Sequence, residues 1–355
     1  MKKILVIGQG IAGTMLAWTL ESAGLDVWIA SDPDTPGASA IAAGIINPVT
    51  GKRYAKSWEF EAHWACAQQV YARFEAQFQT KVLHPRTIHR LLTTPEEVNN
   101  WTTRSGMPQF EPFMDMQKGT GFWHPFIAGN YYTGLIRQAA QVDFKTLVEA
   151  YSKHKQTQGK CILRNLPYSE WEKQLADFDA LISSEGARAE GNPFFDTPVW
   201  QNAKGEALFI RFSDPAFHKA FQNATEIPML KKDLMLASPG GNWSDIFWAG
   251  ASYEWEFESH HSTSESARMQ LIESLQSLMN IPVEVIGQAA GVRPVVKDRR
   301  PLLGQSKKRP GVFIFNGFGS KGGLLTPYWA EVFRDFLISG KSLPKEVDCH
   351  RFELG

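Results

Sequence analysis

The first hydrophobic run of the chain is Lys3-Ile4-Leu5-Val6-Ile7, rich in β-branched residues and followed without a break by Gly8-Gln9-Gly10-Ile11-Ala12-Gly13. Such a run suits a strand buried on both faces. The spacing over 11–23 predicts a helix with small residues on one side, ended by Gly24, and 25–30 is the next apolar strand. Together they form a βαβ unit of about thirty residues. The first glycine permits the tight turn, the second lets backbone approach a pyrophosphate, and the third lets helix and strand pack closely. The helix start presents free N–H groups and partial positive charge to phosphates. This placement predicts a dinucleotide site at Gly8, Gly10, Ile11, Ala12 and Gly13 rather than a merely structural turn. The acidic residue that usually ends the second strand is displaced: Ser31 stands there and Asp32 follows. Hydroxyl and carboxylate are both left as candidates for the ribose.

Further along, a loop with Pro33, Pro36 and Gly37 leads into Ala38-Ser39-Ala40-Ile41-Ala42-Ala43-Gly44. So many small residues suggest backbone lying against a flat ligand, at Ser39, Ala43 and Gly44, or a close helix contact. A long helix with aromatic anchors is predicted over 58–78, a strand over 87–92 and a helix over 95–104. The stretch 119–125 is rich in glycine and aromatics. A helix is expected over 133–140, and 177–187 reads as an apolar strand ending in Ser183, Ser184 and Gly186. Alternating segments at 206–212, 234–237, 246–251 and 253–257 suggest an antiparallel sheet with one exposed face. A helix over 263–279 has Thr263 or Ser264 as its cap and Glu265 in its first turn. The chain closes with an apolar strand at 311–316, a glycine loop at 317–323 and a helix at 324–339. These elements define an α/β fold: a Rossmann-like FAD/NAD(P)-binding domain from 1–57, 134–205 and 281–355, with an inserted mixed α+β substrate (cap) domain from 58–133 and 206–280 built on an antiparallel sheet.

With 355 residues the chain can bury a large core. Its formal net charge of zero supplies no field drawing it to nucleic acid or membrane. Cys66, Cys161 and Cys349 lie far apart, which argues against a disulfide framework or zinc site and fits a cytoplasmic enzyme. His260 and His261 are adjacent and point to opposite sides of a strand, so no metal is expected. The apolar run after Met1-Lys2-Lys3 breaks at Gly8, so a signal peptide is not expected, and no apolar stretch is long enough to span a membrane.

The chemistry concentrates near the C-terminus. Gly317-Phe318-Gly319-Ser320-Lys321-Gly322-Gly323-Leu324 places a second glycine loop at a helix start. A helix start aimed at a flavin stabilises the negative charge that gathers on reduction, and Lys321 can add a full charge. Upstream stand Gly291-Val292-Arg293-Pro294 and Pro301-Leu302-Leu303-Gly304. In combination these motifs resemble the D-amino-acid-oxidase superfamily of FAD-dependent oxidoreductases, which includes glycine and sarcosine oxidases.

The resemblance implies noncovalent FAD, since no cysteine lies in either motif. It places the cofactor at Gly8, Gly10, Ile11, Ala12, Gly13, Ser31, Asp32, Ser39, Ala43, Gly44, Val148, Ser183, Ser184, Gly186, Gly319, Ser320, Lys321, Gly322, Gly323 and Leu324. Catalysis falls to Arg293, as partner of a substrate carboxylate, and Lys321. A second arginine that such enzymes carry in the glycine loop is Ser320 here. The implied reaction oxidises the C–N bond of an amino acid or secondary amine by hydride transfer to flavin N5. The tail from Gly317 is also similar to the FAD-dependent part of the enzyme family that makes methylaminomethyl-2-thiouridine in tRNA. That family removes a carboxymethyl group from the wobble uridine. Lys297, Arg299, Arg300, Lys307, Lys308 and Arg309 are placed to meet phosphates or to form a solvated loop, and the neutral chain favours the loop. A non-catalytic flavin-binding protein and a nicotinamide dehydrogenase are the remaining alternatives. The substrate, the electron acceptor and the oligomeric state stay open.

Overall fold

A computed structural model describes every residue except 1, 36, 118–120, 196–198, 241–244 and 353–355. The strand Lys3–Ile7 lies inside a six-stranded sheet ordered Leu302–Gln305, Val312–Asn316, Ala180–Ser183, Lys3–Ile7, Asp26–Ser31 and Cys161–Leu163. All pairs are parallel except the first. Ile4 and Val6 enter the core beneath the helices Ile11–Ser22, Phe144–Thr157 and Gly322–Ser339, while Leu5 and Ile7 pack with Trp171 and Phe178 on the other face. Burial on both sides explains the unbroken apolar run.

A second sheet of nine strands runs in the order Val283–Arg293, Ala203–Phe212, Phe247–Gly250, Met235–Ala237, Met229–Lys231, Leu83–Leu92, Tyr132–Val142 and Ile45–Ile46, with Met114–Gln117 also on Tyr132–Val142. One face turns Ile88, Met229, Ala237, Trp248 and Ala207 into the core shared with the first sheet. The other turns Leu91, Leu230, Leu236 and Leu208 under the helices Pro215–Asn223 and Glu265–Leu278. Ser264 caps the latter, its Oγ accepting from the Ala267 amide at 3.2 Å. The expected α/β architecture, a Rossmann-like sheet with a cap sheet, is therefore present.

Two local expectations are corrected. Residues 133–140 are strand, part of Tyr132–Val142, and the helix follows at Phe144–Thr157, capped by Asp143. Two residues, Arg137 and Gln138, oppose one on the neighbouring strand, and Gln138 has φ +55°. That bulge shifts the phase of the apolar positions and gives Ile136 and Ala139 a helix-like spacing. Residues 253–257 form no strand and pair with the sheet through a bridge between Glu254 and Lys204. Val283–Arg293, within the segment 281–355, is an eleven-residue strand of the nine-stranded sheet. From 119–125 the structure gives a 3-10 turn over Gly121–Phe126, and Gly119 and Thr120 lie outside the described residues.

Candidate active site

The loops leaving the carboxyl ends of three parallel strands converge. Gly8 has φ +100°, and a Cβ there would lie 2.4 Å from the Ser184 carbonyl oxygen. A Cβ on Gly13 would lie 1.8 Å from the Gly8 carbonyl oxygen. The helix Ile11–Ser22 begins at Gly10 with no side-chain cap. Ser39 Oγ accepts from the Ile11 amide at 3.0 Å, which leaves the Ala12 and Gly13 amides with no carbonyl of their own helix. Open donors beside a turn that tolerates no side chain fit the pyrophosphate of a dinucleotide.

The neighbouring residues divide. Ser183 Oγ donates to Glu185 at 2.7 Å and Ser184 Oγ to the Phe315 carbonyl at 3.1 Å, so both hydroxyls are engaged by protein. Burial raises the Glu185 carboxyl, partly offset by Ser183. The Gly186 carbonyl accepts from Asn316 Nδ2 at 2.9 Å, tying the second loop to the third. Ser31 ends its strand opposite Leu163. The Asp32 carboxylate accepts from Thr35 Oγ1 at 2.6 Å and the Asp34 amide at 3.1 Å; the Thr35 hydroxyl chiefly holds it below its ordinary range. Gly44, with φ +67°, pairs so closely with Val142 that a Cβ would lie 1.9 Å from its carbonyl oxygen, and Ala43 beside it is buried. Val148 packs against the core from the helix Phe144–Thr157.

The C-terminal loop reaches the same place from the other side. The Gly319 amide donates to the Pro294 carbonyl at 2.9 Å and Val295 bridges to Phe318, which sets the arginine motif beside the glycine loop. The helix Gly322–Ser339 starts at Lys321 with no side-chain cap. Its first residue abuts the first helix, since a Cβ on Gly322 would lie 2.9 Å from Ile11 Cγ2. Tyr71 donates its hydroxyl to the Gly323 carbonyl at 2.7 Å, and Leu324 is buried. Ser320 is exposed. Burial pushes the Lys321 ammonium down, and Arg300 and Arg299 push it further.

Arg293 ends the strand Val283–Arg293. Its guanidinium covers Gly205, donates to the Lys204 carbonyl at 3.4 Å and lies 5.1 Å from the Tyr253 ring centre. Burial lowers its pKa, and no described carboxylate lies within ion-pair distance of it. Lys204, one residue away, is instead neutralised by buried Glu206 at 3.4 Å. A half-buried cation with no ion pair to a described carboxylate, on the strand that leads to the glycine loop, suits an anionic substrate group.

Sequence reasoning missed several neighbours. Tyr253 and Trp255, 55% and 52% exposed, contact each other edge to face beside Arg293. Trp248 Nε1 donates to the Ile41 carbonyl at 2.9 Å. His63 is fully buried against Trp58, Tyr328 and Trp329; burial chiefly lowers its pKa, and Nε2 has no partner. It sat within a helix read for its aromatic anchors alone.

The six basic residues split. Leu302 pairs with Asn316 at the end that carries the glycine loop, so 297–300 lie there. Gln305 pairs with Phe313 at the opposite end, where 307–309 follow. Arg300 stacks 3.9 Å over Trp58, while Arg309 faces Glu172 at 3.5 Å. Asp348, Cys349 and His350 come within 4.8 Å of one another, but the His350 ring meets the Gln305 carbonyl at 2.7 Å and Asp348 accepts from the His350 amide.

A family model described as FAD dependent oxidoreductase (DAO) matches residues 3–335. The chain belongs to the DAO family of FAD-dependent oxidoreductases. Among solved structures, this DAO-family chain is similar to iminodiacetate oxidase from Chelativorans sp. BNC1, with 16% identity, 97% and 98% of the two chains covered and a TM-score of 0.76. It is also similar to glycine oxidase from Bacillus cereus ATCC 14579, at 14% identity, 96% of each chain and a TM-score of 0.72. Glycine oxidase from Geobacillus kaustophilus follows at 18% identity, 100% and 98% coverage and a TM-score of 0.71. At these identities the likeness shows the fold. As a DAO-family enzyme the protein uses FAD, and the converging glycine turns and open helix starts fit it. Among the described residues no helix is long and apolar enough to cross a membrane.

Proposed function

We propose that the protein oxidises the C–N bond of a small amino acid or secondary amine that carries a carboxylate. The observation that carries this reading is Arg293: a half-buried guanidinium with no described carboxylate within ion-pair distance, on the strand that leads to the glycine loop. Bound FAD supplies the hydride acceptor, N5. The first helix start, with Gly8, Gly10, Ala12 and Gly13, holds the pyrophosphate, and Ser31 or Asp32 the ribose. Lys321 and the start of the last helix supply positive charge that favours the reduced, anionic cofactor. Arg293 fixes the substrate by its carboxylate and thereby orients the carbon next to nitrogen. Tyr253 and Trp255 screen that charge pair from water. The resemblance of the C-terminal tail supports a second reading, removal of a carboxymethyl group from a modified tRNA uridine, in which Arg293 would play the same part. We favour the small substrate because the basic residues lie at opposite ends of a strand rather than on one surface.

Arg293→Ala tests this. Leaving a desolvated charge unpaired costs about 2–5 kcal/mol, so KM for a carboxylate substrate should rise at least tenfold with normal FAD content. Unchanged kinetics at full flavin loading would leave Arg293 a structural residue.

A further inference from the structure

The inner face of the nine-stranded sheet carries a second group of cations. Lys231 pairs with Arg90 across neighbouring strands, Met235 pairs with Lys231, Gly250 with Met235, and Ala207 with Gly250. Arg293 pairs with Ala203, an even number of residues from Ala207. Pairing and alternation therefore place Arg293, Lys231 and Arg90 on one face. Ile88 and Met229 mark it as the face toward the shared core.

Like charges directly opposite on adjacent strands are destabilising. Glu97 acts on Arg90 and Asp233 on Lys231 only through space, without an ion-pair contact. Lys231 Nζ donates to the Asp233 carbonyl at 3.2 Å, and neither cation has a described carboxylate within ion-pair distance. Arg90 Nε is buried without a hydrogen-bond partner. Of the charged groups around them, Glu97 accepts from the Thr93 amide and hydroxyl, both at 2.7 Å. The Asp233 carboxylate is exposed and faces Lys232. The buried Tyr54 ring lies 4.9 Å from the Arg90 guanidinium and packs on Trp101. Trp101 in turn covers Gly134, the strand partner of Arg90. The two cations thus lie side by side against the Tyr54–Trp101 wall, with no ion pair to a described carboxylate.

We propose that Arg90 and Lys231, with Tyr54, form a second anion subsite. The substrate is then an extended amine whose far end carries a phosphate or a second carboxylate. This rests on the assignment of the near carboxylate to Arg293. Four strand spacings and four residues along a strand separate Arg293 from Lys231, roughly 20–25 Å between Cα positions on a flat sheet. Glycine or iminodiacetate is too short to touch both ends.

Two measurements on the FAD-loaded enzyme test the subsite. Sulfate, titrated calorimetrically, should bind at this subsite as well as at Arg293; the component that persists in Arg293→Ala should be weakened at least tenfold when Arg90→Gln or Lys231→Gln is added to that variant. Burial and Arg90 push Lys231 down to about 8, so sulfate affinity should fall as pH rises through that value in the unaltered protein and much less in Lys231→Gln. Secondly, kcat/KM is compared across N-alkylglycines of increasing length ending in carboxylate, phosphonate or methyl. Beyond a threshold length one charged series should exceed the methyl series at least tenfold, and the ratio should fall to about one in either variant. Whichever anion shows the excess identifies the far group. Sulfate affinity indifferent to both substitutions, or a charged-to-neutral ratio of one at every length in a series that turns over, would overturn the subsite. If no N-alkylglycine is oxidised yet sulfate binding depends on Arg90 and Lys231, the subsite stands and the assignment of an amine substrate falls.

Discussion

A Cβ placed on Gly205 would lie 2.2 Å from Arg293 Nη2, so the guanidinium occupies the space that a side chain at Gly205 would take. Arg293 is the far end of a flexible side chain, and it yields more cheaply than the strand Ala203–Phe212. Gly205→Val should therefore move the arginine without unfolding the sheet. We expect KM for the carboxylate substrate to rise tenfold or more, with FAD content normal and the melting temperature within a few degrees, as for a substitution costing about 1 kcal/mol. Steady-state kinetics and thermal melts check this. An unchanged KM would mean that the position of Arg293 does not matter to binding.

The first glycine turn behaves differently, because there the obstruction is backbone. A Cβ on Gly13 would lie 1.8 Å from the Gly8 carbonyl oxygen, and Gly8 is held by its N–H, which donates to the Ala30 carbonyl at 2.9 Å. Gly13→Ala must pry helix from turn. The variant should purify with little flavin, and added FAD should no longer raise its melting temperature as a ligand of the native state does. For the unaltered protein, acid precipitation should leave the FAD in the supernatant. Full flavin loading of Gly13→Ala would contradict the placement of the pyrophosphate.

Asp298 links the loop bearing Arg299 and Arg300 to the C-terminal segment through Arg351, with contacts of 2.8 and 2.9 Å. Burial raises the Asp298 carboxyl, but the Arg351 hydrogen bonds and the Arg300 amide outweigh it and the net shift is downward. A depressed carboxyl contributes stability above its unfolded pKa, near 4, and loses it as pH falls below that value. Asp298→Asn should lower the melting temperature at pH 7 and lower it less at pH 3. Equal destabilisation at both values would show that the pair does not act through charge.

Much of the site was legible because close backbone approach admits only glycine. The turn at Gly8–Gly13 and the loop before Gly322 announce themselves at the two ends of the chain, and the structure brings them to one point at Ile11 and Gly322. The strand Tyr132–Val142 was not legible, because the bulge at Arg137 and Gln138 disguised its period. Val283–Arg293 was hidden by its small residues at Gly287, Ala289, Ala290 and Gly291, which lie against a neighbouring strand and the turn at Ala38. Arg90 and Lys231 are far apart in sequence, and only strand pairing brings them together. Nor could the position of 307–309 be read without knowing which end of the strand Leu302–Gln305 carries the glycine loop.

Anaerobic titration of the FAD-loaded protein, followed by flavin absorbance near its visible maximum, tests the central claim most directly. An N-alkylglycine or amino acid should bleach the oxidised flavin band, and the same substrate should bleach it far more weakly in Arg293→Ala. A flavin that stays oxidised with every carboxylate-bearing amine, yet is bleached by a reduced nicotinamide or by an amine lacking a carboxylate, would contradict the account.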